Sequence, residues 1–179
     1  MSDSEILGLL RQGRLEEAFT QLVNNYSERL YWHVRTIVGT HEDADAVVQD
    51  AFLKIWNALP SWRGEAQIYT WVYRIATNEA LNFLRKEKVR SALRFRSLDE
   101  EMERRIDGDP YFNGSALERA LSKEIAKLPE KQRLVFNLKY FDEMKYEDMS
   151  EMLGTSIGAL KASYHHAVRK ITEFFKAYD

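Results

Sequence analysis

Between residues 62 and 86, aromatic rings, cations and carboxamides interleave in one short stretch. Trp62, Arg63 and Gly64 are followed by Ile68, Tyr69, Tyr73, Arg74, Asn78, Asn82, Arg85 and Lys86. Proteins hold unstacked nucleic-acid bases this way: each base resting on a ring contributes about 1–3 kcal/mol, and cations follow the phosphate backbone. Gly64 lets backbone approach closely, so a loop from Trp62 to Glu65 can receive an extruded base. At helical spacing Ile68, Val72, Ile75 and Ala76 make one buried stripe with Trp71 beside it. Tyr69 and Tyr73 sit one turn apart on a neighbouring face. Trp71 is assigned to the core. For Trp62, Tyr69 and Tyr73, core packing and base stacking both stay open, because rings also fill the cores of small helical domains.

A second pattern lies between Lys145 and Lys170. Residues from Lys145 to Leu153 read as a short helix with Met149, Met152 and Leu153 inward, ended by Gly154. Thr155 and Ser156 can cap a following helix that buries Ile157, Leu160, Tyr164, Ala167 and Ile171. Gly158, Lys161, Ala162, Ser163, His165, His166 and Arg169 then lie on or beside its outer face. No acid occurs from Ser156 to Lys170, so nothing there repels phosphate. Lys145 and Tyr146 open the first helix, where free backbone N–H groups can hold a phosphate. This is the layout of a helix-turn-helix reading head; a plain helical hairpin with a solvated face is the alternative.

A third helix, 42–59, buries Val48, Ala51, Phe52, Ile55 and Leu59 on one stripe. Asp45, Gln49 and Lys54 face outward, with Asp50 and the apolar Phe52 and Trp56 nearby. Such a mixed surface suits a protein interface or, equally, solvent. Catalytic constellations are missing: His33, His41, His165 and His166 make no H-E-x-x-H pattern, and there is no G-x-S-x-G elbow. The chain is expected not to be an enzyme and to need no cofactor or metal.

The elements that must position these residues are helices. Helical periodicity covers about 3–12, 15–38, 42–59, 67–88, 115–127, 130–141, 145–153 and 157–177, and no sustained alternation suggests a strand. Residues 91–115 look like a linker, with scattered charge and the turn-like Asp107-Gly108-Asp109-Pro110. The fold class is therefore all-α: two small helical domains, 1–90 and 115–179, joined by a linker over 91–114. The 179 residues carry a net charge of −2 and no cysteine, which excludes disulfides and thiolate metal sites. Basic charge is local: residues 63–90 hold six Arg or Lys against three Glu, whereas 99–109 is acidic. No apolar run reaches the roughly 18 residues of a membrane span, and the acidic N-terminus lacks a signal-peptide pattern, so a cytoplasmic protein is expected.

The stretch Tyr69-Thr70-Trp71-Val72-Tyr73-Arg74-Ile75-Ala76-Thr77-Asn78 resembles region 2 of the extracytoplasmic-function (ECF) sigma factors. Leu128-Pro129-Glu130-Lys131-Gln132-Arg133, Tyr146 to Gly154, and Ile157-Gly158-Ala159-Leu160-Lys161 resemble region 4 of that family. Two motifs in the family's order and spacing are far more specific than either alone. The resemblance spans about residues 20–90 and 115–175. It implies that Trp62, Arg63, Gly64, Ile68 and Asn78 form a pocket for a flipped base of the minus-ten element. It also implies that 157–170 reads the minus-thirty-five element and that Asp45 to Trp56 docks on the β′ clamp of core RNA polymerase. Implied partners are core RNA polymerase (β′ clamp and β flap), promoter DNA and an anti-sigma factor, with a monomer when free. Two departures bear on promoter preference: Ala159 stands where the family often has Thr, and Ala162-Ser163-Tyr164-His165-His166-Ala167-Val168 replaces an arginine-rich run. The acidic linker either mimics nucleic acid or stays solvated. An autonomous helix-turn-helix regulator is the other reading, and it leaves residues 62–86 unexplained.

Overall fold

The computed structural model describes residues 2–93 and 97–178. Among them the chain forms nine α-helices, one short 3-10 turn and no strand. Helices α1 (Asp3–Arg11), α2 (Leu15–Val38), α3 (His41–Ala58) and α4 (Ile68–Leu93) make the N-terminal half. Each begins or ends where local chemistry dictates. Ser2 caps α1 in a capping box with Glu5, and the Thr40 hydroxyl oxygen accepts from the Asp43 N–H at the start of α3. Pro60 falls in the 3-10 turn Leu59–Ser61 that ends α3.

Leu22, Leu30 and Val34 of α2, Ala51 and Ile55 of α3, and Val72, Ala76 and Leu84 of α4 are all buried in one cluster. Helix α1 closes one side of this core through Ile6, and the Tyr26 hydroxyl donates to Asp3 Oδ1 at 2.7 Å.

The segment expected to be a bare linker contains a further helix, α5 (Leu98–Gly108). Ser97 and Glu100 form its capping box, a signal that was diluted by the surrounding charge. Met102 and Ile106 of α5 are buried at the α2–α3 corner, against Gly39. There φ is +94°, and an added Cβ would meet Met102 Cε at 2.8 Å. Of the segment's acidic residues Glu101 and Asp109 are buried, while Glu100 and Asp107 stay exposed. Arg105 is shared by Asp43, Glu87 and Glu101. Asp109 pairs with Arg35 at 2.7 Å, and Asp107 with Lys123. Arg104, and then Arg105, hold the Glu101 carboxyl down to about 2.

Helices α6 (Ala116–Lys127), α7 (Glu130–Tyr140), α8 (Tyr146–Leu153) and α9 (Ile157–Tyr178) make the C-terminal half. Ile125, Leu128, Phe136, Ala167 and Ile171 form a small core of their own. Leu138, Met144, Met149, Met152 and Leu160 instead join the cluster of the N-terminal half. The two halves are thus packed on one another, with α8 against α4 and α7 against α2.

Candidate nucleic-acid interface

Helix α4 and the loop before it bring the aromatic and basic residues of 62–86 together. Trp62 is half-buried against Trp71, with ring centroids 5.7 Å apart, and its buried indole N–H has no hydrogen-bond partner. Arg63 and Gly64 are exposed, and Gly64 takes φ +77°. Tyr69 and Tyr73 approach to 4.8 Å, and the Arg29 guanidinium of α2 lies over both rings. Burial pushes the Tyr69 phenol up to about 12 against the opposing pull of Arg29; burial likewise raises Tyr73, with Asp142 adding to the rise.

Two of the residues expected to meet a strand lie in the core. Ile68 and Tyr73 are buried, at 3% and 1% exposure, and offer no face to a nucleic acid in this arrangement. Hydrophobic area on α4 that periodicity left undecided is covered by α2 and α8. Arg74, expected to follow a backbone, donates from Nη2 to Glu151 O at 3.0 Å and from Nε to Met152 O at 3.3 Å.

The groove between α3 and α4 holds the remaining polar residues. Asn78, Asn82 and Arg85 line an open cleft of about 630 Å³, and Arg85 donates to Asn82 Oδ1 at 2.8 Å. Lys54 lines the same cleft and pairs with Glu79. Its long stem crosses the groove and adds a cation to the α4 side. Lys86 is exposed one residue beyond. Sequence reasoning missed Asn57, which joins this cleft, and Leu53, an apolar side chain 62% exposed off the core stripe of α3.

On the other face of α3, Asp45, Gln49 and Asp50 are exposed, and Gln49 Nε2 donates to Asp45 Oδ2 at 2.9 Å. Trp56 is 39% exposed and Phe52 half-buried, both edge-on to Phe19 of α2. The anchors are held firmly while the polar rim stays wet.

In the C-terminal half, α8 ends at Gly154 with φ +63°, the left-handed conformation that terminates a helix. The Ala159 N–H donates to Ser156 Oγ at 3.3 Å, which starts α9. Leu160 and Ala167 are fully buried, while Gly158, Lys161, Ala162, His165, His166 and Arg169 are exposed and Ser163 is half-buried. Lys145 is exposed at the head of α8 with no side-chain cap. Tyr146 lies beneath two ammonium groups, Lys139 at 4.7 Å and Lys161 at 5.7 Å. That ring sets the direction of Lys161; Lys139 was not singled out from the sequence. Glu147 and Asp148 of the first α8 turn temper the positive potential at that end. Arg169 pairs with Glu173 at 3.1 Å.

Among the described residues, no three or more His, Cys, Asp or Glu are grouped to hold a metal ion. No helix there is long and apolar enough to cross a membrane.

Comparison with known proteins converges with this geometry. Residues 22–90 match the family model described as sigma-70 region 2, and residues 118–171 match that described as sigma-70, region 4. The chain is 30% identical to the ECF RNA polymerase sigma factor SigW of Bacillus subtilis, covering 87% of this chain and 89% of that one. It is 30% identical to the ECF RNA polymerase sigma-E factor of Escherichia coli K12, over 93% and 91% of the two chains. Among solved structures, CnrH in complex with the cytosolic domain of CnrY aligns with a TM-score of 0.71 at 22% identity, over 99% of both chains. The sigma factor RpoE in complex with the anti-sigma factor NepR, from Bartonella quintana, aligns with a TM-score of 0.68 at 22% identity, over 88% of this chain and 96% of that one.

Proposed function

The chain belongs to the ECF RNA polymerase sigma factors, and on that premise we propose the following division of labour. It binds core RNA polymerase and directs promoter recognition, DNA melting and transcription initiation, while RNA synthesis itself stays with the polymerase. Residues 1–90 bind the polymerase and the melted strand, residues 115–179 bind the upstream duplex, and residues 91–114 join them.

Three surfaces carry these roles. The outer face of α3, with Asp45, Gln49, Asp50, Phe52, Leu53 and Trp56, meets the β′ clamp: exposed apolar anchors beside a polar rim are what a separable interface needs. On α4, Asn78, Asn82, Arg85 and Lys86, with Lys54 from α3, follow the single strand, and the loop Trp62 to Gly64 receives its extruded base. On α9, Lys161, Ala162, Ser163, His165, His166 and Arg169 face the upstream element, with Lys145 and Tyr146 at a phosphate. The replacement of arginines by His165 and His166 lowers the fixed charge of the recognition face, so phosphate contact is weaker and base contact carries more of the selectivity. The C-terminal half also meets the β flap, and an anti-sigma factor holds the protein in reserve.

The observation that carries this reading is the presence of both family regions, in order, on one chain. The test is open-complex formation by core RNA polymerase on a promoter library, with and without the protein. Opening that requires both components is the expected result. Duplex binding without any association to core polymerase would overturn it in favour of an autonomous regulator.

A further inference from the structure

A cavity of about 920 Å³ is lined by residues of α2, α5, α6 and α7. That is the upper end of the roughly 300–1,000 Å³ of small-molecule sites. Its body is apolar: Met102 and Ile106 come from α5, and Leu121 and Ile125 from α6. The Phe112 ring makes a fixed wall. An added Cβ at Gly114 would meet its Cζ at 2.7 Å, and the Arg119 guanidinium lies 4.2 Å from its centroid while donating to Ile106 O at 2.7 Å. Trp32, Tyr111 and Phe141 also belong to the lining and are 53%, 61% and 46% exposed, so flat apolar surface continues out to solvent. Exposed apolar surface gathered in one place marks a binding site, whereas single exposed rings mean little.

One polar atom in this lining lacks a partner. Asn137 of α7 is fully buried; its Nδ2 donates to Thr36 O of α2 at 3.1 Å, and its Oδ1 is buried with no donor among the described residues. Turning the amide over does not help, because Oδ1 would then face Thr36 O and Nδ2 would be the orphan. A buried acceptor left unpaired is costly, so the site calls for a molecule that brings a donor. That donor is uncharged. The charged groups of the lining are already engaged, Arg35 with Asp109 at 2.7 Å and Asp142 with His33 at 2.9 Å, or stand exposed, as Glu28, Arg29, Glu118 and Glu143 do. A charged head beside Asn137 would be buried without a counter-ion.

We propose that this cavity is a binding site for a small uncharged molecule with a flat apolar body and one hydroxyl or amide donor, phenols being the simplest such class. The donor goes to Asn137 Oδ1, and the body rests on Met102, Ile106 and Ile125 with the Phe112 ring beside it. Because the ligand touches α2, α5, α6 and α7 at once, its binding adds to the stability of the folded chain. The site stands apart from the proposed function and does not depend on it.

Two matched probes test this on the full chain: para-propylphenol, which carries a donor, and para-propylanisole, in which a methyl ether removes it. Titrating isotope-labelled protein and following it by NMR gives both affinities, and the Asn137 side-chain amide reports the site. The phenol should bind about ten-fold more tightly, although the ether is the more apolar and a merely greasy void would prefer it. Asn137→Leu, of similar volume, should bring the two affinities together. Leu121→Trp, which fills the cavity from α6, should abolish both, and it decides the matter if circular dichroism shows that Asn137→Leu does not fold. Equal affinities in the unmutated chain, or no binding of either probe, would overturn the site. A preference for the phenol that survives Asn137→Leu, or binding that Leu121→Trp leaves unchanged, would place the molecule elsewhere and overturn it equally.

Discussion

His33 Nδ1 lies 2.9 Å from Asp142 Oδ2, joining residues 109 positions apart in the chain. The other ring nitrogen, Nε2, is 2.8 Å from Thr77 Oγ1 of α4. One fully buried imidazole thus ties α2, α4 and the α7–α8 turn together. A buried polar ring without partners would be costly; here both nitrogens are satisfied, Nε2 within the N-terminal half and Nδ1 only because the two halves meet.

Trp62→Ala should impair strand capture and leave duplex binding intact. Losing one stacked base removes about 1–3 kcal/mol, a drop of roughly 5- to 150-fold in single-strand affinity. Affinity for a single-stranded minus-ten oligonucleotide, measured beside affinity for the upstream duplex, separates the two. Equal losses in both would assign Trp62 to folding alone, through its contact with Trp71.

Lys161→Ala should weaken duplex binding across many sequences. The slope of log affinity against log salt should fall by about one unit, as for any single phosphate contact. His166→Ala, exposed on the same face, should change base preference with less effect on that slope. A slope unmoved by Lys161→Ala would remove Lys161 from the phosphate-contacting set.

Asp45→Ala or Gln49→Ala should weaken association with core polymerase and leave binding to free DNA unaffected. The two side chains are hydrogen-bonded to each other at 2.9 Å, so the double variant should lose less than the sum of the single losses. Titration of fluorescently labelled protein with core polymerase reads this directly.

Glu101 gives a pH signature to the docking of α5. Its carboxyl is held down to about 2, from an ordinary value of 4.5, chiefly by Arg104 and next by Arg105. A depressed carboxyl adds stability that is fully present above 4.5 and is lost as the pH falls through about 2. The unmutated protein should therefore exceed Glu101→Gln in stability near neutral pH, and the difference should shrink between pH 4.5 and 2. A difference constant across that window in thermal unfolding would exclude the ion pairing as its source.

Gly39→Ala should destabilise the α2–α3 corner by about 1–2 kcal/mol, the cost of a left-handed conformation for a residue with Cβ. The Met102 methyl in its way is the flexible end of a side chain and can shift, so backbone strain sets the magnitude. Chemical denaturation measures it.

Much of this protein is legible from residue order alone. Eight of the helices follow from the spacing of apolar residues, and the breaks at Thr40, Pro60 and Gly154 from local capping and helix-ending chemistry, because periodicity and capping act within a turn or two. The outer faces of α3 and α9 follow by the same local logic: a side chain off the apolar stripe faces outward. Helix α5 escaped because its capping box, Ser97 with Glu100, sits in a charged stretch whose two core residues, Met102 and Ile106, make too short a stripe to read.

What only the tertiary structure decided is where long-range partners stand. Tyr73 is buried and not bare on α4, Lys54 crosses to the α4 groove, and Glu101 and Asp109 are ion-paired and not solvated. Each outcome depends on a contact with a residue far away in the chain. No local pattern encodes such a pairing, because the energy that fixes it arises only when distant surfaces exclude water together. His33 shows this most plainly: in the sequence it is one histidine among four, and in the fold it holds two halves together.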